Sequence, residues 1–249
     1  MIAFHVVSLF PESLESYLNS SIVKRAQEDG HISIKYYNPR DFAVSGGKNK
    51  KMTYAERRVD DKPYGGGPGM VMEALPIIRT IEEIIENVKY KKENNNVKIK
   101  NRNTKKSVVS SKIKIIFFTP SGKQFTNKIA DTFKKYADIV LVCGRYEGID
   151  ARVKKVFPMT NVSIGPYTLT GGELPAMVVT DAVTRRIRGV LGDDLSIEEM
   201  RVASPDVYTR PEIIGYKRKK YRVPKILLSG HQKKIEEWKK GIGDRSHRK

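Results

Sequence analysis

A single cysteine, Cys143, stands among 249 residues, so no internal disulfide can form and no cysteine-based zinc cluster can be assembled. A reducing compartment is the expectation. Histidine is scarce as well: His5, His31, His231 and His247 are scattered without ligand spacing, and no metal site is predicted from them. No apolar stretch approaches the roughly 20 residues that span a bilayer. The opening MIAFHVVSLFPE has no basic n-region and meets a proline and an acid at once, so it reads as a first strand, and a cytoplasmic protein with no membrane partner is expected. Familiar phosphate loops are missing too. Gly122-Lys123 is followed by Gln124, which breaks the G-x-x-x-x-G-K-[ST] pattern, and YGGGPGM at 64–70 does not complete G-x-G-x-x-G. Ordinary kinases, NTPases and dinucleotide enzymes lose ground accordingly.

Acid is in deficit. Lys and Arg total 47 against 28 Asp and Glu, a formal net charge of +19, and such a chain favours a polyanionic partner, because its cations displace counterions condensed on phosphates. Nucleic acid leads on composition; a general solubility bias is the plainer explanation. Short β-branched or aromatic runs recur at Ile2 to Phe10, Ile113 to Phe118, Ile139 to Cys143 and Val162 to Ile164. Between them lie helical patterns: Leu14, Tyr17, Leu18, Ile22 and Ala26; Ile77, Ile78, Ile81, Ile84, Ile85 and Val88; and Ile129, Ala130, Phe133 and Tyr136. This alternation predicts an α/β fold with a mostly parallel, helix-covered sheet. Residues 89–112 are rich in Lys, Asn and Ser and predict an exposed basic loop. A polar break at 191–207 divides a large domain, 1–190, from a small basic tail, 208–249, with one amphipathic segment around Ile235 and Trp238.

Three loops follow three consecutive strand candidates: FFTPSGKQ, LVCGRYEGID and SIGPYTLTGGELP. If those strands are parallel, all three loops emerge at the carboxyl edge of the sheet, where open α/β proteins bind ligands. Glycine there lets main-chain groups approach a purine or ribose without an intervening Cβ. Any one of these loops could be a mere turn; together they predict one site. Cys143 closes an apolar run and reads as a buried, inert thiol rather than a nucleophile.

At these loops the chain resembles a known family. SLFPE, KPYGGGPGM, VCGRYEGID, SIGPYTLTGGELPAM and YTRPE look, in that order, like the successive signatures of the bacterial tRNA (guanine-N1)-methyltransferases. The resemblance implies a SPOUT fold whose parallel sheet carries a deep trefoil knot, a symmetric homodimer, S-adenosyl-L-methionine held in the knot, and tRNA as substrate. It also implies a small helical C-terminal domain that binds tRNA, which here reads as short, ending in WKKGIGDRSHRK. Carried over position by position, Gly144 and the run Ile164, Gly165, Pro166, Tyr167, Thr168 and Leu169 would hold the cofactor, with Pro120, Tyr146, Gly171, Gly172 and Pro175 completing the pocket. Glu147 corresponds to an acid near the methyl donor, its plainer role being a loop-orienting hydrogen bond. Arg185 corresponds to an arginine set against the target guanine, whereas Arg186 and Arg188 suit phosphates or solvent.

N1 of neutral guanine carries a proton, so its methylation requires a base for that proton and a cation for charge developing on O6. Arg185 is the choice for the cation, since its planar fork stays protonated. The family's base is an aspartate in the linker, and this chain departs there, reading VLGDDLSIEEMRVASPDV. Aligning from Ser196 puts Met200 at that position, so Glu199 is the candidate base, with Asp193, Asp194 and Glu198 as alternatives. Pro166 is a second departure, replacing an acid and removing a backbone donor. Whether Mg2+ assists is left open. Two rival readings stand beside the enzyme: a SPOUT methyltransferase acting on another RNA, and a catalytically impaired RNA-binding protein.

Overall fold

The computed structural model describes residues 1–43, 57–99, 113–191 and 206–243, with no side-chain description for 91–99 or 242–243. The chain divides into two compact units, Met1–Val190 and Leu191–Lys249. In the first, the elements run β1 (Ile2–Val7), α1 (Glu12–Leu18), α2 (Ser21–Glu28), β2 (Ile32–Tyr37), β3 (Asp60–Asp61), β4 (Val71–Met72), α3 (Ala74–Ile99), β5 (Ile113–Gln124), α4 (Asn127–Phe133), β6 (Asp138–Val142), α5 (Arg152–Val156), β7 (Thr160–Ser163) and α6 (Glu173–Thr184). Five strands form one sheet in the order β2-β1-β6-β5-β7, every pairing parallel.

Side chains alternate across the strands, so each central strand feeds two cores. Phe4, Val6, Ile116, Phe118, Ile139 and Leu141 pack with Leu14, Leu18, Ala130, Phe133, Ala176 and Val179, the contribution of α1, α4 and α6. Val7, Ile115, Phe117, Val140 and Val142 pack instead with Ile77, Ile81, Ile84 and Val153, from α3 and α5. The sheet is therefore covered on both faces, as the parallel arrangement requires.

Three expectations change in this unit. The predicted pattern from Leu14 to Ala26 is two helices, α1 and α2, separated at Asn19 and Ser20. Strand β2 is an addition to the predicted set: it lies at the sheet edge with only Ile32 buried, so ISIKYY carries no long apolar run to announce it. Residues 89–99 are not a loop, because α3 continues through them to Ile99. Lys and Glu propagate a nucleated helix at little cost even without an apolar face. The rest of that predicted insertion, 100–112, lies outside the described residues.

The second unit holds a two-stranded antiparallel hairpin, β8 (Ile213–Tyr216) and β9 (Lys219–Arg222), then a short 3-10 turn, Lys225–Leu228, and α7 (Gln232–Gly243). The helical tail is thus corrected to a hairpin plus one helix. Lys217 and Arg218 turn the hairpin with φ of 46° and 62°, conformations usually taken by Asn or Gly, so the usual turn signal is missing. Ile235 and Trp238 lie on the half-buried side of α7, and Trp238 meets Tyr208 at 6.5 Å between ring centroids.

Candidate functional site

The carboxyl ends of β5, β6 and β7 converge on one cavity of about 340 Å³, within the range of roughly 300–1,000 Å³ usual for ligand pockets. Each strand contributes a loop, because parallel strands deliver their following segments to the same edge. From β5 come Thr119 and Pro120; from the turn after β6, Gly144 and Tyr146 through Ile149; from the segment after β7, Ile164, Gly165, Tyr167 and the stretch to Gly172. Strand β5 does not end cleanly before its loop. Its register with β7 shifts between Phe118 and Lys123, so residues 119–122 bulge out of the ladder and present Thr119 and Pro120. Gly122 permits the close approach that follows: a Cβ there would sit 2.6 Å from the backbone of Val162.

A largely buried ion pair joins the second and third loops to Ser8, the residue after β1. Glu173, the first residue of α6, is only 4% exposed. Arg145 Nε donates to its two oxygens at 3.2 and 3.1 Å, and Ser8 Oγ donates to Oε1 at 2.7 Å. Charge-assisted bonds of this kind offset the cost of burying both ions. The Arg145 guanidinium also lies 4.6 Å from the Phe10 ring centroid. Around this pair the backbone closes further: Gly172 N donates to Gly144 O at 2.9 Å, and Arg145 bridges Gly171 in antiparallel fashion. A Cβ on Gly172 would fall 2.6 Å from Cys143 Cα. Cys143 itself is fully buried, and burial first, then the Glu173 charge, pushes its thiol well above the ordinary range. It is a packing residue, as expected.

The glycine-rich 64–70 segment braces the loop that carries Glu147. Glu147 N donates to Met70 O at 3.0 Å, Met72 N to Gly148 O at 3.0 Å, and Asp150 N to Met72 O at 2.9 Å. Gly69 adopts φ of +87°, and a Cβ on it would meet Glu147 Oε1 at 2.7 Å. The positive φ favours glycine, and a side chain there would also displace that carboxylate. Asp150 is held below the usual carboxylate range chiefly by the Arg152 hydrogen bond. Tyr146 sits in the left-handed region at φ 57° and is half-exposed at the cavity wall.

Of the residues singled out in the sequence, Pro120, Gly144, Tyr146, Glu147, Ile164, Gly165, Tyr167, Thr168, Leu169, Gly171, Gly172 and Pro175 all line the cavity. Pro166 does not: it is exposed, outside the lining, so its replacement of an acid does not alter the cavity wall. Arg185 stands elsewhere, at the C-cap of α6. Ten residues separate it from Pro175 on the same helix, about 15 Å along the axis, so its own chain does not bring it to the pocket. Glu199 and its alternatives Asp193, Asp194 and Glu198 lie outside the described residues. Phe117, Ile149 and Lys154 also line the cavity and are absent from the sequence-based set; Phe117 and Ile149 look like ordinary core residues in sequence, and Lys154 lies in α5 amid other basic residues. Among the described residues, no cluster of three or more His, Cys, Asp or Glu is placed to hold a metal, and no helix is long and apolar enough to cross a membrane.

Residues 2–248 match the family model described as tRNA (Guanine-1)-methyltransferase TrmD. A tRNA (guanine-N(1)-)-methyltransferase of Lachnoclostridium phytofermentans is 39% identical over 246 residues, covering 95% of this chain and 85% of the relative. Its counterpart in Clostridioides difficile is 40% identical over 242 residues, covering 95% and 90%. The crystal structure of the tRNA (m1G37) methyltransferase from Aquifex aeolicus is similar at a TM-score of 0.67 and 33% identity, covering 96% of this chain and 87% of that one.

Proposed function

Because the chain belongs to the tRNA (guanine-1)-methyltransferase family, we propose that it transfers a methyl group from S-adenosyl-L-methionine to N1 of the guanine immediately 3′ of the tRNA anticodon. The observation that carries this reading is the convergence of the three loops on one cavity of mixed apolar and polar lining in which, among the described residues, the charged side chains are Glu147 and Lys154. The walls suit a purine and ribose, which main-chain groups of the third loop would read by hydrogen bonds. When bound there, the cofactor supplies a methyl group on a cationic sulfur that leaves as a neutral thioether. Glu147, beside Gly69 in the lining, would present a negative charge to that cationic ligand.

At the guanine, a linker carboxylate, for which Glu199 is the choice, would take the N1 proton, while the cofactor, when bound, would supply the methyl group. Arg185 donates to O6 and stabilises the charge gathering there. Since Arg185 lies far from the pocket of its own chain, we assign its action to the site of a second copy, in a homodimer. An apolar stripe supports this. Leu174 and Val178, four residues apart on α6, are 53% and 44% exposed, and such surface favours a protein partner over water. The three convergent loops are the segments that a trefoil knot would thread. The hairpin, with Tyr216, Lys217, Arg218, Lys219, Lys220, Tyr221 and Arg222 exposed, would grip tRNA through its cations and stack bases on its tyrosines.

Radiolabelled S-adenosylmethionine incubated with matched tRNA transcripts, bearing G or A immediately 3′ of the anticodon, tests the proposal. Label confined to N1 of the G transcript is expected. Cofactor and tRNA binding without turnover would favour an impaired RNA-binding protein, and label on ribosomal RNA alone would favour the other methyltransferase reading.

A further inference from the structure

Resting on the cofactor reading above, we infer that Lys154 receives the carboxylate of the methyl donor's methionine moiety, and so decides which way round the donor lies in the cavity. S-adenosylmethionine at neutral pH bears two cationic centres, the sulfonium and the ammonium, and one anionic centre, the carboxylate. The cavity wall bears one of each sign. Among the described residues Glu147 is the one carboxylate in the lining and Lys154 the one ammonium; the others are apolar, hydroxylic or main chain. An acid and an ammonium in one lining give such a ligand a preferred direction, with a cationic centre toward Glu147 and the carboxylate toward Lys154.

Lys154 is exposed to solvent, but its ammonium is placed by a cavity residue. It projects from α5, the helix that follows the second loop, with its ammonium 4.4 Å from the centroid of the Phe117 ring. Phe117 is itself a cavity residue and is 6% exposed; its Cε2 would lie 3.0 Å from a Cβ on Gly144. A fixed ring thus holds the ammonium near the cavity, and the cation–π contact leaves its N–H groups available. Among the described residues no carboxylate lies at salt-bridge distance from Lys154. Its neighbour Arg152, by contrast, is engaged by Asp150 at 2.6 Å. A carboxylate arriving in the cavity therefore meets an ammonium that is positioned yet not already paired with an acid.

The test compares two ligands that differ by that carboxylate alone, S-adenosylmethionine and decarboxylated S-adenosylmethionine, by calorimetry on the full chain. The wild type should bind the first about tenfold more tightly, the usual scale of a charge-assisted hydrogen bond. Lys154→Met keeps much of the stem over Phe117 and removes the charge. It should lose about tenfold for S-adenosylmethionine and nothing for the decarboxylated ligand, and Lys154→Arg should restore much of the preference. Equal weakening of both ligands would make Lys154 a packing residue and overturn the inference. So would an unchanged preference, including the case where Lys154→Met weakens only tRNA binding and the ammonium serves a phosphate. Failure of the wild type to bind either ligand would instead sink the cofactor reading itself, and this inference with it.

Discussion

The two units make their surfaces by opposite means. In Met1–Val190 the cavity edge is built from backbone packed on backbone and from a nearly buried ion pair, with glycines where a Cβ would collide. In the second unit, none of the described residues is buried, and every position of the hairpin strands is exposed. The difference lies in how each tolerates change. A site of close approaches fails at a single atom, whereas a surface of solvated charges weakens by increments and with salt.

A graded set of substitutions would sharpen or break that contrast. The largest effect is expected of Glu173→Ala, which leaves the Arg145 charge without its buried partner; urea unfolding should show a loss of about 3 kcal/mol, and wild-type stability would mean that the pair adds little. Next, Gly172→Ala drives a Cβ onto the Cys143 backbone, and calorimetry should show S-adenosylmethionine binding weakened at least about tenfold. Combined Lys217→Ser, Lys219→Ser and Lys220→Ser should leave cofactor affinity alone while lowering tRNA affinity. The slope of log affinity against log salt should become shallower by about 0.7 to 0.9 for each phosphate that the variant no longer neutralises; an unchanged slope would remove the hairpin from the RNA interface.

Smaller effects belong to groups away from both surfaces. Cys143 should resist alkylation in the native protein near neutral pH and react once unfolded, since its thiol is raised by burial and by the nearby Glu173 charge. Rapid native labelling would show that the loops open. Asp131 faces Arg186 at 3.0 Å and Lys134 at 3.1 Å. Burial alone would raise its carboxyl, but the Lys134 hydrogen bond and the Arg186 charge outweigh that and hold it below the ordinary value. A carboxylate depressed in the folded state stabilises above its unfolded pKa of about 3.9 and loses that contribution as pH falls through the folded value. Asp131→Asn should therefore cost under about 1 kcal/mol at pH 7, because the acid is 44% exposed. Denaturation curves should show the difference closing toward acid pH.

The sheet is readable in the sequence wherever a strand is buried on both faces. Ile115 to Phe118 in β5 and Ile139 to Val142 in β6 read as continuous apolar runs because helices cover both their sides. The edge strand Ile32–Tyr37 is silent for the complementary reason, being half-solvated. Helix α3 announces itself through Ile77, Ile81, Ile84 and Val88 but not as far as Ile99, since beyond the apolar stripe only propensity and neighbouring turns sustain it. The hairpin of the second unit is hidden because its turn uses Lys217 and Arg218 at positive φ, which local composition does not announce.

Local chemistry in the chain is enough to name the loops, their glycines and the excess of positive charge, because these follow from residue type and short-range order. Motif resemblance assigns most of the pocket residues, and the cavity lining includes Pro120, Gly144, Ile164, Tyr167 and Gly172 among them. What only packing could decide is which side chains meet across the fold. Ser8, Arg145 and Glu173 come from three distant segments, with 165 positions between the first and the last. Lys154, though exposed, lines the cavity with its ammonium over the Phe117 ring, a contact between α5 and β5. Arg185 belongs with the pocket in the motif and stands apart from it on the helix, since ten residues of α-helix are a rigid span of about 15 Å that no sequence pattern displays.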